Sequence, residues 1–193
     1  MSETNDTHAA HVEKEYSILQ IAMNLTIACL VSGIILATTY FITHPIAVEK
    51  AKMLEEQAMK DLVTEADTFN AVEGQEGWFA AEKGGSVIAY IVPSESKGYG
   101  GTIKIMVAVS TDGKVIDYNI LSMNETPGLG DSAAKDFFRD RIKGKTSDDL
   151  IVVKDPSNKE NVQALTGATI TSRAVTDGVR AAVDEVIEFT GGK

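Results

Sequence analysis

The sequence predicts an α+β protein with one N-terminal transmembrane helix, a helical stalk and a small domain of antiparallel sheet with packed helices. Three observations carry this reading. An apolar run without a single charge fills Ile18–Ile42, short β-branched runs separated by turn residues occupy 85–124, and apolar residues recur at helical spacing from Thr171 to Phe189.

Residues 1–17 are polar and aperiodic and read as a tail. Residues 18–43 form the span: at a rise of about 1.5 Å per residue they cross the roughly 30 Å hydrocarbon layer with some tilt. The flank before it holds Glu3, Asp6, Glu13 and Glu15 against Lys14. A cleaved leader has a basic front end, so the run reads as an uncleaved anchor. Lys50, Lys52 and Lys60 follow the span, and the positive-inside rule, taken literally, points the C-terminal part to the cytoplasm.

Residues 44–70 read as the stalk. Pro45 is placed to open a new helix, and Ile46, Met53, Leu54, Met59, Leu62 and Val63 follow at roughly helical spacing. Residues 71–193 form the domain. "GSVIAYIVP" and "GTIKIMVAVS" have strand pattern, the turn "TDG" at Thr111–Gly113 leads into "KVIDYNILSMN", and together they predict an antiparallel meander. Asp136–Ile142 is expected as a short helix, "LIVVK" as a further strand, and Thr171–Phe189 as a closing helix.

Composition narrows the function. The formal charge of −10 excludes a nucleic-acid partner, because phosphate backbones call for a basic stripe. The single cysteine, Cys29, offers no zinc or cluster spacing and reads as an inert apolar residue of the span, and His8, His11 and His44 are too scattered for a metal. No acid–base pair or nucleophile triad stands out, so the chain is not expected to turn over a substrate alone.

Two stretches invite a ligand. In "LTGATITS" the small residues Gly167 and Ala168 precede a helix whose first N–H groups suit a phosphate. Simple N-capping by Ser or Thr is the competing reading, although Thr169, Thr171 and Ser172 exceed what one cap requires. In "NETPGLGD" Pro127, Gly128 and Gly130 shape a loop on which Leu129 stays exposed unless something planar covers it. Trp78, Tyr90 and Tyr99 are aromatics that could stack, but core or rim is the simpler use for each.

The two stretches together, in this order after a span and a stalk, resemble the FMN-binding domain family of membrane proteins that hold FMN through a phosphoester to threonine. "ETPGLG" is nearly a signature of that domain, and the arrangement is similar to the G subunits of the Rnf complex, a ferredoxin:NAD oxidoreductase. The related C subunit of the sodium-pumping NADH:quinone oxidoreductase is the alternative inside the flavin class. A membrane-tethered scaffold module, in which both stretches are only turns and caps, is the alternative outside it.

The resemblance implies covalent FMN on Thr169, beside Gly167 and Ala168. It implies that the loop Glu125–Gly130, with Glu125, Thr126, Gly128 and Leu129, lies beside the isoalloxazine ring, that Thr171 or Ser172 donates to the phosphodiester, and that Tyr99 is a stacking candidate. It further implies an electron-relay role among the flavin and iron–sulfur subunits of the complex, in a lipid membrane with the domain on the extracytoplasmic side, against the lysine bias. A flavin transferase is the implied maturation partner. One departure stands out: where the motif often has Asp, six residues before the acceptor, this chain has Gln163.

Overall fold

The computed structural model describes residues 17–191 except residue 156; His8, His11 and the expected tail up to residue 16 lie outside the described residues. The chain divides into two compact units, Met1–Lys50 and Ala51–Lys193. Helix α1 (Ile18–Leu62) begins in the first and ends in the second, and it is long and apolar enough to cross a membrane. Along the apolar part, Thr26, Ser32, Thr38, Thr39 and Thr43 donate their hydroxyls to the carbonyl four residues earlier at 2.8–2.9 Å. Hydroxyls satisfied this way need no water, as a hydrocarbon surrounding requires.

Pro45 lies inside α1 and does not open a new helix. It removes one backbone bond, to the Phe41 carbonyl, and regular turns on either side carry the helix past it. The helical stalk expected to reach residue 70 stops at Leu62, because the chain turns there to enter the sheet.

In the second unit β1 (Thr68–Ala71), β2 (Phe79–Lys83), β3 (Ser86–Lys97), β4 (Thr102–Ser110) and β5 (Val115–Ser122) form an antiparallel meander in sequence order. The meander expected from β3 to β5 therefore gains two strands on its N-terminal side. Side chains alternate between the faces of β4: Ile103, Ile105, Val107 and Val109 enter one core, Met106 and Ala108 the other. The second core is closed by Ala58, Met59, Leu62 and Val63 from the end of α1 and the residue after it. Both faces of this interior strand are thus covered, which explains its nearly continuous apolar run.

The first core is closed by α3 (Thr169–Thr190), which buries Val175, Val179, Val183 and Val186 against β3 and β4. Each such valine is worth about 1.5–3 kcal/mol relative to exposure. Gly178 marks the closest approach: a Cβ there would stand 3.0 Å from Ile105 Cδ1, and the Ser94 hydroxyl donates to the Gly178 carbonyl at 2.8 Å. Trp78 and Tyr90 both meet Phe189 edge-on at 5.6 Å, so these two aromatics belong to the far end of the core.

The expected helix at 136–142 is a single α-turn, α2 (Asp136–Arg139), followed by turns, and the expected strand at 150–154 shrinks to β6 (Val152–Val153), paired in parallel with β7 (Val162–Gln163). Arg139 reaches back to bind the buried Asp117, which also pairs with Lys143 at 3.3 Å. Tyr118, beside it, donates its hydroxyl to the Ala133 carbonyl at 2.5 Å, and burial pushes its pKa well above the ordinary phenol range.

Gly178→Val should lower the stability of the full chain in detergent by about 1–3 kcal/mol, because the branched side chain overpacks the contact with Ile105. Denaturant unfolding followed by far-UV circular dichroism checks this; an unchanged midpoint would show that α3 does not depend on the close approach.

Candidate functional site

Three chain segments meet at the N-terminal end of α3. The first is the β3–β4 turn. Gly98 donates its N–H to the Gly101 carbonyl at 2.8 Å, and Gly101 has φ +155°. Gly100 lies so close to the next segment that a Cβ there would stand 1.7 Å from the Asn124 carbonyl oxygen. This leaves the Tyr99 side chain 72% exposed on a narrow turn.

The second segment follows β5. The Thr126 carbonyl accepts the N–H groups of Leu129 at 3.1 Å and Gly130 at 3.0 Å, and Gly128 supplies φ +77° between them. The chain then enters a 3₁₀ turn, Gly130–Ala134. Leu129 remains 44% exposed, and its Cδ2 packs 3.3 Å from where a Cβ on Gly167 would lie.

The third segment is the turn into α3. Gly167 has φ +79°, and Ala168 donates its N–H to the Leu165 carbonyl at 3.1 Å. The Ser172 hydroxyl accepts the Leu165 N–H and donates to the Ala168 carbonyl, both at 2.9 Å. The Thr171 hydroxyl donates to Glu125 Oε2 at 2.5 Å. Thr169, the half-buried first residue of the helix, is different: its hydroxyl has no hydrogen-bond partner among the described residues. The backbone N–H groups of Thr169, Ile170 and Thr171 likewise have none, and no side chain caps the helix.

Between these segments lies a cleft of about 480 Å³, lined by Tyr99 from the first, Thr126, Leu129 and Gly130 from the second, and Gly167, Ala168, Thr169, Ile170 and Thr171 from the third. No lining residue is charged. The volume falls within the roughly 300–1,000 Å³ of small-molecule sites. Free N–H groups at a helix mouth suit a phosphate, and the exposed faces of Tyr99, Leu129 and Ile170 suit a planar ring, so the residues present fit FMN. Among the described residues no group of three or more potential metal ligands occurs.

Seven residues singled out in the sequence, Tyr99, Thr126, Leu129, Gly167, Ala168, Thr169 and Thr171, therefore share one cleft, and three do not line it. Ser172 is fully buried and its only proton serves the Ala168 carbonyl, so it shapes the turn and does not face a phosphate. Thr171 touches the cleft, but its proton is committed to Glu125. The Glu125 carboxylate accepts from Thr171 and Gly100 and does not line the cleft. Gly128 borders a neighbouring hollow of about 260 Å³ with Phe137, Arg141, Gln163 and Thr166. There Arg141 Nη1 donates to the Gln163 carbonyl at 2.7 Å, so position 163 is anchored through its backbone.

Gly130, the end of the expected loop, also lines the cleft, and Ile170 lines it beyond the candidates read from the sequence. The signal for Ile170 was an apolar residue among the hydroxyls of the helix start, 55% exposed in the fold.

Fold and cleft together define a small FMN-binding domain that follows a membrane-type helix. The family model described as FMN-binding domain matches residues 98–184, a range that takes in all three segments. The chain belongs to the G-subunit family of ion-translocating ferredoxin:NAD(+) oxidoreductase complexes. The G subunit of the proton-translocating complex of Clostridium ljungdahlii is 58% identical over 92% of this chain and 96% of its own length. The G subunit of the Na(+)-translocating complex of Acetobacterium woodii is 27% identical over 86% of this chain and 90% of its own length.

Among solved structures, the C subunit of the Na(+)-translocating NADH-quinone reductase from Parabacteroides distasonis is 25% identical, with a TM-score of 0.50 over 60% of this chain and 63% of its own. NqrC from Shewanella oneidensis shares the fold at 19% identity, with a TM-score of 0.50 over 67% of this chain and 73% of its own.

The hydroxyls of the helix start should separate by stability. Ser172→Ala leaves the Leu165 N–H buried without its acceptor and should cost about 1–3 kcal/mol, whereas Thr169→Ala should stay within about 0.5 kcal/mol. Parallel denaturant titrations check this, and equal losses would mean that Thr169 is also a structural residue.

Proposed function

We propose that the chain relays electrons within an ion-translocating ferredoxin:NAD(+) oxidoreductase complex through one FMN, held in the cleft and joined by a phosphoester to the Thr169 hydroxyl. The observation that carries this is the contrast at the helix start, where Thr171 and Ser172 are engaged internally while Thr169 faces the cleft with a free hydroxyl. When bound, FMN supplies one- and two-electron redox chemistry; the protein supplies binding, orientation and exclusion of water.

The free N–H groups of Thr169, Ile170 and Thr171 receive phosphate oxygens at the positive end of the helix dipole. Tyr99, Leu129 and Ile170 offer apolar faces to the ring, and Thr126 closes one end of the cleft. Forming the ester requires a base to take the Thr169 proton and an activated flavin donor, a flavin dinucleotide whose pyrophosphate bond breaks as its nucleoside monophosphate leaves. No residue lining the cleft is ionisable near neutral pH, which supports maturation by a separate flavin transferase.

The apolar part of α1 anchors the chain in the lipid of the cell membrane as a single pass, with the domain on the extracytoplasmic side. Its relatives are subunits of multisubunit complexes, and the other flavin and iron–sulfur subunits are the proposed electron donors and acceptors.

The decisive experiment is intact mass of the full chain co-expressed with a flavin transferase, beside Thr169→Ala, with flavin fluorescence after denaturation. The wild type should gain one FMN and retain fluorescence, and the variant should do neither. Flavin retained by the variant would move the attachment point elsewhere, and no flavin in either protein, with the transferase active on another acceptor, would sink the covalent reading. For sidedness, protease added to intact spheroplasts should remove the domain. Protection there, with digestion only after lysis, would place it in the cytoplasm.

A further inference from the structure

We propose that Glu125 is the positioning residue of this cleft: its carboxylate ties the turn carrying Tyr99 to the helix carrying Thr169, and so holds the aromatic wall and the attachment hydroxyl in register. The consequence for flavin rests on the reading of Thr169 above; the tie itself does not.

Glu125 Oε1 accepts the Gly100 N–H at 3.0 Å, and Oε2 accepts the Thr171 hydroxyl at 2.5 Å, so one side chain joins positions 25 residues before and 46 residues after it. Among the described residues it forms no ion pair. A half-buried carboxylate without a cation is costly to keep for closing a loop, and two charge-assisted bonds from different segments offset that cost. One of those donors, Thr171, sits in the first turn of α3, where the helix dipole favours a negative charge.

The space around Glu125 is kept by absent side chains. A Cβ on Gly98 would stand 2.3 Å from Oε1, and one on Gly130 would stand 2.8 Å from Glu125 Cβ, 2.9 Å from Thr171 Oγ1 and 3.0 Å from Oε2. Neither glycine has a positive φ between +20° and +160°. Their lack of a side chain answers to crowding by the carboxylate and its partners, not to backbone conformation. One glycine of the β3–β4 turn and the last glycine of ETPGLG therefore border a single interaction, and this interaction links the segments that line the cleft.

The tie predicts coupled motion. In the flavin-free full chain in detergent, amide hydrogen exchange should be slow at Gly100 and at Ser172, the first amide of α3 that is hydrogen-bonded. Glu125→Ala should speed both by about tenfold or more, the range expected for loss of a bond to a charged group. Glu125→Gln should restore both, because its amide oxygen can accept from Gly100 while its NH₂ donates to the Thr171 hydroxyl. Gly130→Ala, which leaves every polar group in place but inserts a methyl between the partners, should behave like Glu125→Ala.

In the loaded protein, visible circular dichroism per attached FMN should fall in Glu125→Ala and Gly130→Ala and return in Glu125→Gln. A role confined to global stability would leave that signal unchanged. Exchange that accelerates at Gly100 alone, with α3 unaffected, overturns the tie even if FMN is attached. A wild type that carries no FMN on Thr169 removes the reading of the attachment site, while the exchange data still decide the tie.

Discussion

Helix α3 packs closely against β3 and β4 at residue 178, which carries no side chain at the crossing, where Ile105 Cδ1 would meet a Cβ at 3.0 Å. That contact fixes the helix axis relative to the sheet, and the Ser94 bond to the Gly178 carbonyl fixes its translation. Everything at the cleft follows from this placement. The N-terminus of α3 arrives beside the β3–β4 turn and the loop after β5, so three segments far apart in sequence share one wall. The alternating apolar side chains of β4 make the placement possible, since each face of an interior strand needs its own cover.

Much of this was legible in the residues, and the illegible parts share a cause. The β-branched alternation of β3 to β5 and the glycine turn at 113 announce themselves locally. By contrast "TFNA" and "FAAEK" have little strand character of their own and become strands by pairing, β2 onto β3 and β1 onto β2. The continuity of α1 through Pro45 was hidden for the opposite reason: a strong local breaker is overridden by long regular turns on both sides. At the cleft, the two motifs name residues that the fold brings together but not the division of labour among them. Which hydroxyl is free depends on Leu165 N–H reaching Ser172 and on Glu125 reaching Thr171, and the second of these spans 46 residues. Spacing within a motif does not encode such a partner.

The electrostatics of the cleft bear on how a phosphate could stay there. Strong phosphate sites place Arg or Lys forks on the oxygens, yet no charged residue lines this cleft, and the chain as a whole carries a formal charge of −10. The helix mouth alone offers three N–H groups and a partial positive charge of about half a unit. Glu125 offsets part of that field. Reversible binding of a dianionic phosphomonoester under these conditions would be weak. On the reading proposed above, a phosphoester to Thr169 would lower the charge that the site must accommodate and remove the need for affinity, which would give the free hydroxyl on the first residue of the helix its use.

The proposed tether would also change how open the site can be. A dissociable ligand is retained by burying most of its surface, typically about 70–90%. Here the flanking apolar groups remain largely in solvent, with Tyr99 72%, Ile170 55% and Leu129 44% exposed. For a reversible cofactor so shallow a seat would be a defect. For one held by a covalent bond, retention no longer depends on enclosure, and the ring can lie at the protein surface with an edge free. An exposed edge would shorten the path to a redox partner, which the proposed electron relay requires. Rigid walls then matter more than deep ones, because the distance and orientation of the ring are set by the few groups that touch it, and those groups stand on two glycine-rich loops and a helix end joined through Glu125.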